Sequence, residues 1–222
     1  AGTGVEQLSL EQMLQIRTVV ISHAHLDHIT GLPLMLATIF DQHQHPVDVY
    51  ALPDVIQALQ AHIFNWTIWP DYTQLPAERP ILNLHTLQVG DVLNDGQHQI
   101  TALPSEHPTP TIGYLISDGH RSFAFTGDTG CNDPLWPILN TAKPDLLIID
   151  VSFTDDVQEL ARVSGHLTPS QLKQQLEQFA HNCPIRITHL KPGFETAIME
   201  RCQQLLPERN LTALLHQETI HL

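Results

Sequence analysis

The stretch "TVVISHAHLDHITG", Thr18–Gly31, joins an apolar run to a turn with three histidines and one aspartate within six residues. Thr18–Ser22 is short, β-branched and followed by polar turn residues, which predicts a buried strand. In an extended chain leaving a strand, residues i and i+2 project the same way, so His23 and His25 can offer two imidazoles to one cation. Asp27 and His28 follow where the chain turns towards a helix, and they face a second position beside the first. Imidazole with carboxylate is the donor set that borderline cations such as Zn²⁺ favour. At this chain's own His and Asp frequencies, H-x-H-x-D-H should arise by chance roughly 0.004 times per sequence, so a merely solvated His-rich loop is the poorer account. The fold must therefore bring strand ends to a cation.

Strands and helices alternate along the rest of the chain. Ser9 caps a short helix, and a second is expected from about Gly31 to Phe40, ahead of a strand at Val47–Ala51. "PDVIQALQAHIF" (Pro53–Phe64) has an early proline and apolar residues at helical spacing. Strands are expected at Gln99–Pro104, Gly113–Ser117 and Ser122–Thr126, with "DGHR" as the turn between the last two. A further strand is expected at Asp145–Ser152. Thr168, Pro169 and Gln171 form a capping box that opens a helix. "IRITHL" reads as the next strand and "FETAIMERCQQLL" as the last helix. Such alternation predicts one α/β domain over residues 1–222. Its least regular part, about 65–80, contains "NWTIWPDYTQLPAERP" and reads as an inserted segment.

A site for two cations needs more donors, and four candidates follow expected strands: His107, Asp128, His166 and His189. Three of the four are expected to be ligands. Asp128, flanked by glycines in "TGDTG", suits a bridging carboxylate. The other nine histidines read as packing or surface residues. Among the aromatics of the insertion, Trp69, with Trp66 and Tyr72, could stack on a base or simply anchor the segment. Lys191 could meet a phosphate or lie in solvent.

Charge narrows the substrate. Ten basic residues against 24 acidic ones give a formal charge of −14. A negative surface opposes association with polynucleotides and anionic lipids, whereas cations can reverse the potential locally for a small anion. No apolar run is long enough to span a membrane. The three cysteines form no CxxC pair and are expected to be unpaired thiols. A cytoplasmic location is expected, with the periplasm as the alternative.

"HAHLDH", "TGDTG" and "THLKP" resemble the ligand series of the metallo-β-lactamase superfamily. "HAHLDHITGL" with "SGHLTPSQL" and "THLKPG" is similar, within it, to the class II 3′,5′-cyclic-nucleotide phosphodiesterases. The resemblance implies an α/β fold, a four-layer αββα sandwich with two metals at one edge. "AGTG" resembles the turn before the first helix of these enzymes, which implies that the opening strands lie outside this chain. His23, His25 and His107 would hold one metal, Asp27, His28 and His189 the other, with Asp128 bridging. Zinc is the first choice, with manganese or iron as alternatives. Asp27 would also accept a hydrogen bond from the nucleophile, and His166, a non-ligand, would protonate the leaving oxygen. Asp150 stands where relatives carry Glu. The implied reaction is hydrolysis of cyclic AMP or cyclic GMP to the 5′-monophosphate by a homodimer. The rivals are a ribonuclease Z-type tRNA 3′-endonuclease, which the acidity disfavours, and a carboxylic ester, thioester or lactone hydrolase. A non-catalytic metal-binding protein should have lost ligands, and none is missing.

Overall fold

The computed structural model describes residues 2–216 and 218–222; Ala1, the first residue of "AGTG", lies outside them. The chain divides into two compact units, Ala1–Gln88 and Val89–Leu222.

The first unit is built on three parallel strands, β1 (Thr18–Val20), β2 (Val47–Ala51) and β3 (Leu82–Thr86), in the order β1-β2-β3. Val47, Val49 and Ala51 alternate along β2 with half-buried neighbours, the period-2 pattern of a strand with one face in the core. Helix α1 (Leu10–Gln15) begins at Ser9, whose capping box with Gln12 is complete. A single-turn helix α2 (Leu26–Ile29), not expected from sequence, precedes α3 (Gly31–Ile39). Leu32, Met35, Leu36 and Ile39 of α3 are buried at helical spacing and join Val47, Val49 and Leu59 in one core cluster.

The helix expected over Pro53–Phe64 is α4 (Pro53–Ala58) followed by a wider π turn at Leu59–Ile63. There the Phe64 N–H donates to Leu59 O at 2.8 Å, one residue further back than in an α-helix. Residues 65–80 contain no regular element, and side chains order their turns. Asn65 Oδ1 accepts from the N–H groups of Thr67 (3.0 Å) and Ile68 (2.8 Å), and Tyr72 stacks on Phe40 with ring centroids 5.3 Å apart. β3 escaped prediction although Leu82 and Leu84 alternate with Asn83 and His85, because "LNLHT" holds no Phe, Trp or Tyr and only one β-branched residue, so its strand propensity is weak.

The second unit is a seven-stranded sheet in the order β10-β9-β8-β7-β6-β5-β4. Its strands are β4 (Val92–Asn94), β5 (Gln99–Pro104), β6 (Ile112–Ser117), β7 (Ser122–Phe125), β8 (Leu146–Asp150), β9 (Ile185–Thr188) and β10 (Leu211–Ala213). β7 to β10 pair in parallel, whereas β4, β5, β6 and β7 pair antiparallel in turn. Two reversals make β5 run the same way as β7, so β5, β7, β8 and β9 all end on one edge of the sheet.

The helices of this unit are α5 (Leu135–Ala142), α6 (Gln158–Ser164), α7 (Pro169–Leu176) and α8 (Glu195–Leu205). The Thr168 capping box opens α7 as expected. Leu139, Leu147, Ile149, Leu172, Ile187 and Ile198 are fully buried in its core. Gln175 Oε1 accepts from the Trp136 indole N–H at 2.8 Å and the Asn132 N–H at 2.9 Å, satisfying two buried donors. All three cysteines are unpaired. Burial pushes the thiols of Cys183 and Cys202 up to about 11 and about 12. Among the described residues, no helix is long and apolar enough to cross a membrane.

Candidate metal centre

In the first unit the donors follow β1 directly. His23 is fully buried, and Ser22 Oγ lies 3.1 Å from its Nδ1. The His23 ring centroid is 4.6 Å from that of His25 and 4.1 Å from that of His28. His25 is the N-cap residue of α2, and Asp27 and His28 lie on that single turn. Asp27 Oδ2 is 3.4 Å from His28 Nε2. The strand thus delivers the first two imidazoles, and the turn of helix delivers the carboxylate and the third.

The opening residues buttress this turn. The Thr3 N–H donates to Asp27 O at 3.0 Å. A Cβ on Gly2 would lie 2.2 Å from the same carbonyl oxygen, so only glycine lets the chain lie this close.

In the second unit the donors come from four separate places at the edge where strands end. His107 follows β5, Asp128 follows β7, His166 lies between α6 and α7, and His189 follows β9. Asp128, His166 and His189 each offer one ligand atom, all within 4.8 Å of one another. His189 Nε2 is 3.3 Å from Asp128 Oδ2. The His166 ring lies 4.9 Å from that of His189 and 5.1 Å from that of His107.

Each imidazole is held by its Nδ1. His107 Nδ1–H donates to Gly165 O at 2.9 Å. His166 Nδ1 is 2.6 Å from Asp150 Oδ2, and His189 Nδ1 is 2.7 Å from Ser152 Oγ. These contacts engage Nδ1, so Nε2 is the ring nitrogen each histidine would present to a cation or a proton. Holding the far ring nitrogen of a ligating histidine is the ordinary support for a metal site. Imidazole and carboxylate donors at this spacing fit a borderline divalent cation.

Asp150 is fully buried and accepts three hydrogen bonds: from His166, from the Thr129 N–H at 3.0 Å and from the Ser152 hydroxyl at 2.6 Å. Although shorter than Glu, Asp150 therefore reaches His166. Gly165 ends α6 with φ 68°. A Cβ there would lie 2.4 Å from Pro108 Cδ and 2.9 Å from His107 Nδ1.

A cavity of about 260 Å³ lies beside these groups, lined by Glu106, His107, Arg162, His166 and Gln171, among others. Lys191 Nζ sits 5.3 Å from the centroid of Phe153. Trp69 packs against the core of the first unit, the placement expected of an anchor. Sequence reasoning passed over Ser152, Gly165 and Gly2. Ser152 lies two residues beyond Asp150 in "IIDVS" and was assigned to a strand, while the glycines act through having no side chain.

A model of the β-lactamase superfamily domain matches residues 4–189, which takes in all the candidate metal ligands and His166. The chain belongs to the metallo-β-lactamase superfamily. Among its similar proteins is a probable 3′,5′-cyclic-nucleotide phosphodiesterase of Yersinia pestis, 31% identical over an aligned length of 206 residues, with 81% of this chain and 58% of the relative covered. A ribonuclease Z of Thermosynechococcus vestitus is 32% identical over 112 residues, 50% of this chain and 26% of that protein. The chain thus spans little more than half of the first relative and about a quarter of the second. The crystal structure of unliganded yeast PDE1 superposes with a TM-score of 0.78 at 22% identity, covering 91% of this chain and 67% of that one. The superfamily's α/β fold and its divalent-metal hydrolase chemistry agree with the donor clusters of both units.

Proposed function

We propose that this chain carries the catalytic core of a phosphodiesterase that opens 3′,5′-cyclic nucleotides to nucleoside 5′-monophosphates. The observation that carries the reading is His166, clamped by Asp150 at 2.6 Å and stacked beside His189. A plain metal site has no need of such an imidazole, whereas expulsion of a ribose alkoxide does. Kinship with the Yersinia pestis relative supports the substrate class.

In this reading His23, His25 and His107 would hold one cation and Asp27, His28 and His189 a second, with Asp128 as a further ligand. When bound, the two cations supply Lewis-acid activation of water and neutralise the phosphate charge. Asp27 accepts a hydrogen bond from the attacking water and takes the proton that the water loses. A new P–O bond forms as the bond from phosphorus to the 3′-oxygen breaks. His166 Nε2 gives its proton to that oxygen while Asp150 holds Nδ1. The nucleoside lies in the cavity lined by Glu106, Arg162 and Gln171.

Purified protein loaded with zinc or manganese should cleave cyclic AMP or cyclic GMP as well as bis(p-nitrophenyl) phosphate. Robust cleavage of a tRNA precursor with inert cyclic nucleotides would overturn the reading. The charge of −14 argues against that outcome, because a polyanionic substrate gains most of its affinity from basic side chains.

A further inference from the structure

Ser152 makes contacts that a packing residue would not need. It is fully buried, and its Oγ lies 2.6 Å from Asp150 Oδ1, 2.7 Å from His189 Nδ1, 2.9 Å from His189 O and 3.3 Å from His166 Nδ1, whose nearer partner is Asp150 Oδ2 at 2.6 Å. A hydroxyl has one proton to donate, and the Asp150 oxygen at 2.6 Å is its nearest acceptor. The hydroxyl oxygen is then left to accept a proton from His189 Nδ1–H. The hydrogen bonds run in one direction, from His189 Nδ1–H to Ser152 Oγ–H to Asp150 Oδ1. The other oxygen of the same carboxylate accepts from His166 Nδ1–H.

The His189 backbone gives an independent sign of constraint. Its φ is 62°, in the left-handed region that a side chain with a Cβ seldom adopts. Such a conformation persists only where its surroundings hold it. Ser152 lies beside both ends of that residue, the ring nitrogen and the carbonyl. The serine is also fixed from the other side, since its N–H donates to Leu167 O at 3.0 Å, in the loop that carries His166.

We infer that Ser152 is a positioning residue that ties His189 to Asp150, the carboxylate that orients His166. One buried carboxyl group thereby registers a metal ligand and a proton donor against each other, and fixes the Nδ1–H tautomer of both rings. The geometry stands by itself; the roles of the two histidines rest on the proposed phosphodiesterase reading.

The test compares the full chain with its Ser152→Ala and Ser152→Thr variants, using ¹⁵N-histidine label, zinc analysis and two substrates. In metal-free Ser152→Ala, the His189 Nδ1–H should lose its protection from solvent exchange, while the His166 Nδ1–H, bonded directly to Asp150, keeps it. Zinc affinity should fall about 10–100-fold, the usual cost of losing such a support. In the zinc-loaded variant, cyclic-nucleotide cleavage should fall more than bis(p-nitrophenyl) phosphate cleavage, because p-nitrophenolate leaves without a proton. Ser152→Thr, which keeps the hydroxyl, should restore all three readouts; if its added methyl prevents folding, Ser152→Ala decides alone. Unchanged His189 protection and zinc affinity in Ser152→Ala would overturn the inference. So would equal loss of both imidazole protons with a lowered melting temperature, which marks a merely structural serine. If the wild type binds zinc yet cleaves no phosphodiester, the proposed function fails, while the imidazole-proton comparison still decides the inference.

Discussion

The two units carry similar donor chemistry in opposite ways. In the first, four donors occupy six consecutive residues, and a strand end with one helical turn is enough to gather them. In the second, His107, Asp128, His166 and His189 are spread over 83 positions and meet only because β5, β7, β8 and β9 end on one edge of a sheet. A contiguous cluster is made by local geometry and needs little support: Ser22 beside it in sequence, and Gly2 and Thr3 packed on it from the start of the chain. A dispersed cluster depends on sheet order, and each imidazole needs its own anchor. Gly165 O, Asp150 and Ser152 are those anchors.

The comparison breaks first at the ligands. His25→Ala in one unit and His189→Ala in the other should each lower phosphodiester cleavage by more than about a thousandfold, since water activation needs the metal. Metal analysis and rates on bis(p-nitrophenyl) phosphate check this; a variant that keeps full activity removes its residue from the ligand set. His166→Ala should lower kcat on cyclic nucleotides by about 10²–10⁴ with metal content unchanged. Loss of metal in that variant would make His166 a ligand. Next come the cores. Leu36→Ala and Leu147→Ala remove the same group from fully buried sites in the two clusters, and each should cost about 2–5 kcal/mol in denaturant unfolding. The caps give the smallest effect. Ser9 is exposed and Thr168 fully buried, so Ser9→Ala should cost about 0.5–1 kcal/mol and Thr168→Ala about 2 kcal/mol by thermal melting. Equal costs would show that burial adds nothing to the second capping box.

The same contrast explains what was legible in the sequence. "HAHLDH" could be read as a metal site without any fold, because the spacing of donors is itself the geometry. The α/β class was legible from strands such as Val47–Ala51 and from the Ser9 and Thr168 caps, all of which have local signals. β3 and β4 were not, for "LNLHT" and "VLN" are held by their neighbours rather than by their own composition. The short α2 was hidden inside the ligand motif. In the second unit, single histidines in loops became candidates only through their place after expected strands. Ser152 had no signal at all, since its partner His189 is brought to it only by the pairing of β8 with β9.

Gly165 has a consequence for how this protein tolerates change. It has no side chain to give a proton or hold an ion, yet its missing side chain is the space that His107 and Pro108 occupy. In a saturation library scored by activity, every substitution there should behave as though a reactive group had been deleted. A survey of sensitivity alone would rank this position beside the histidines, and would mistake an empty volume for a participant in the reaction.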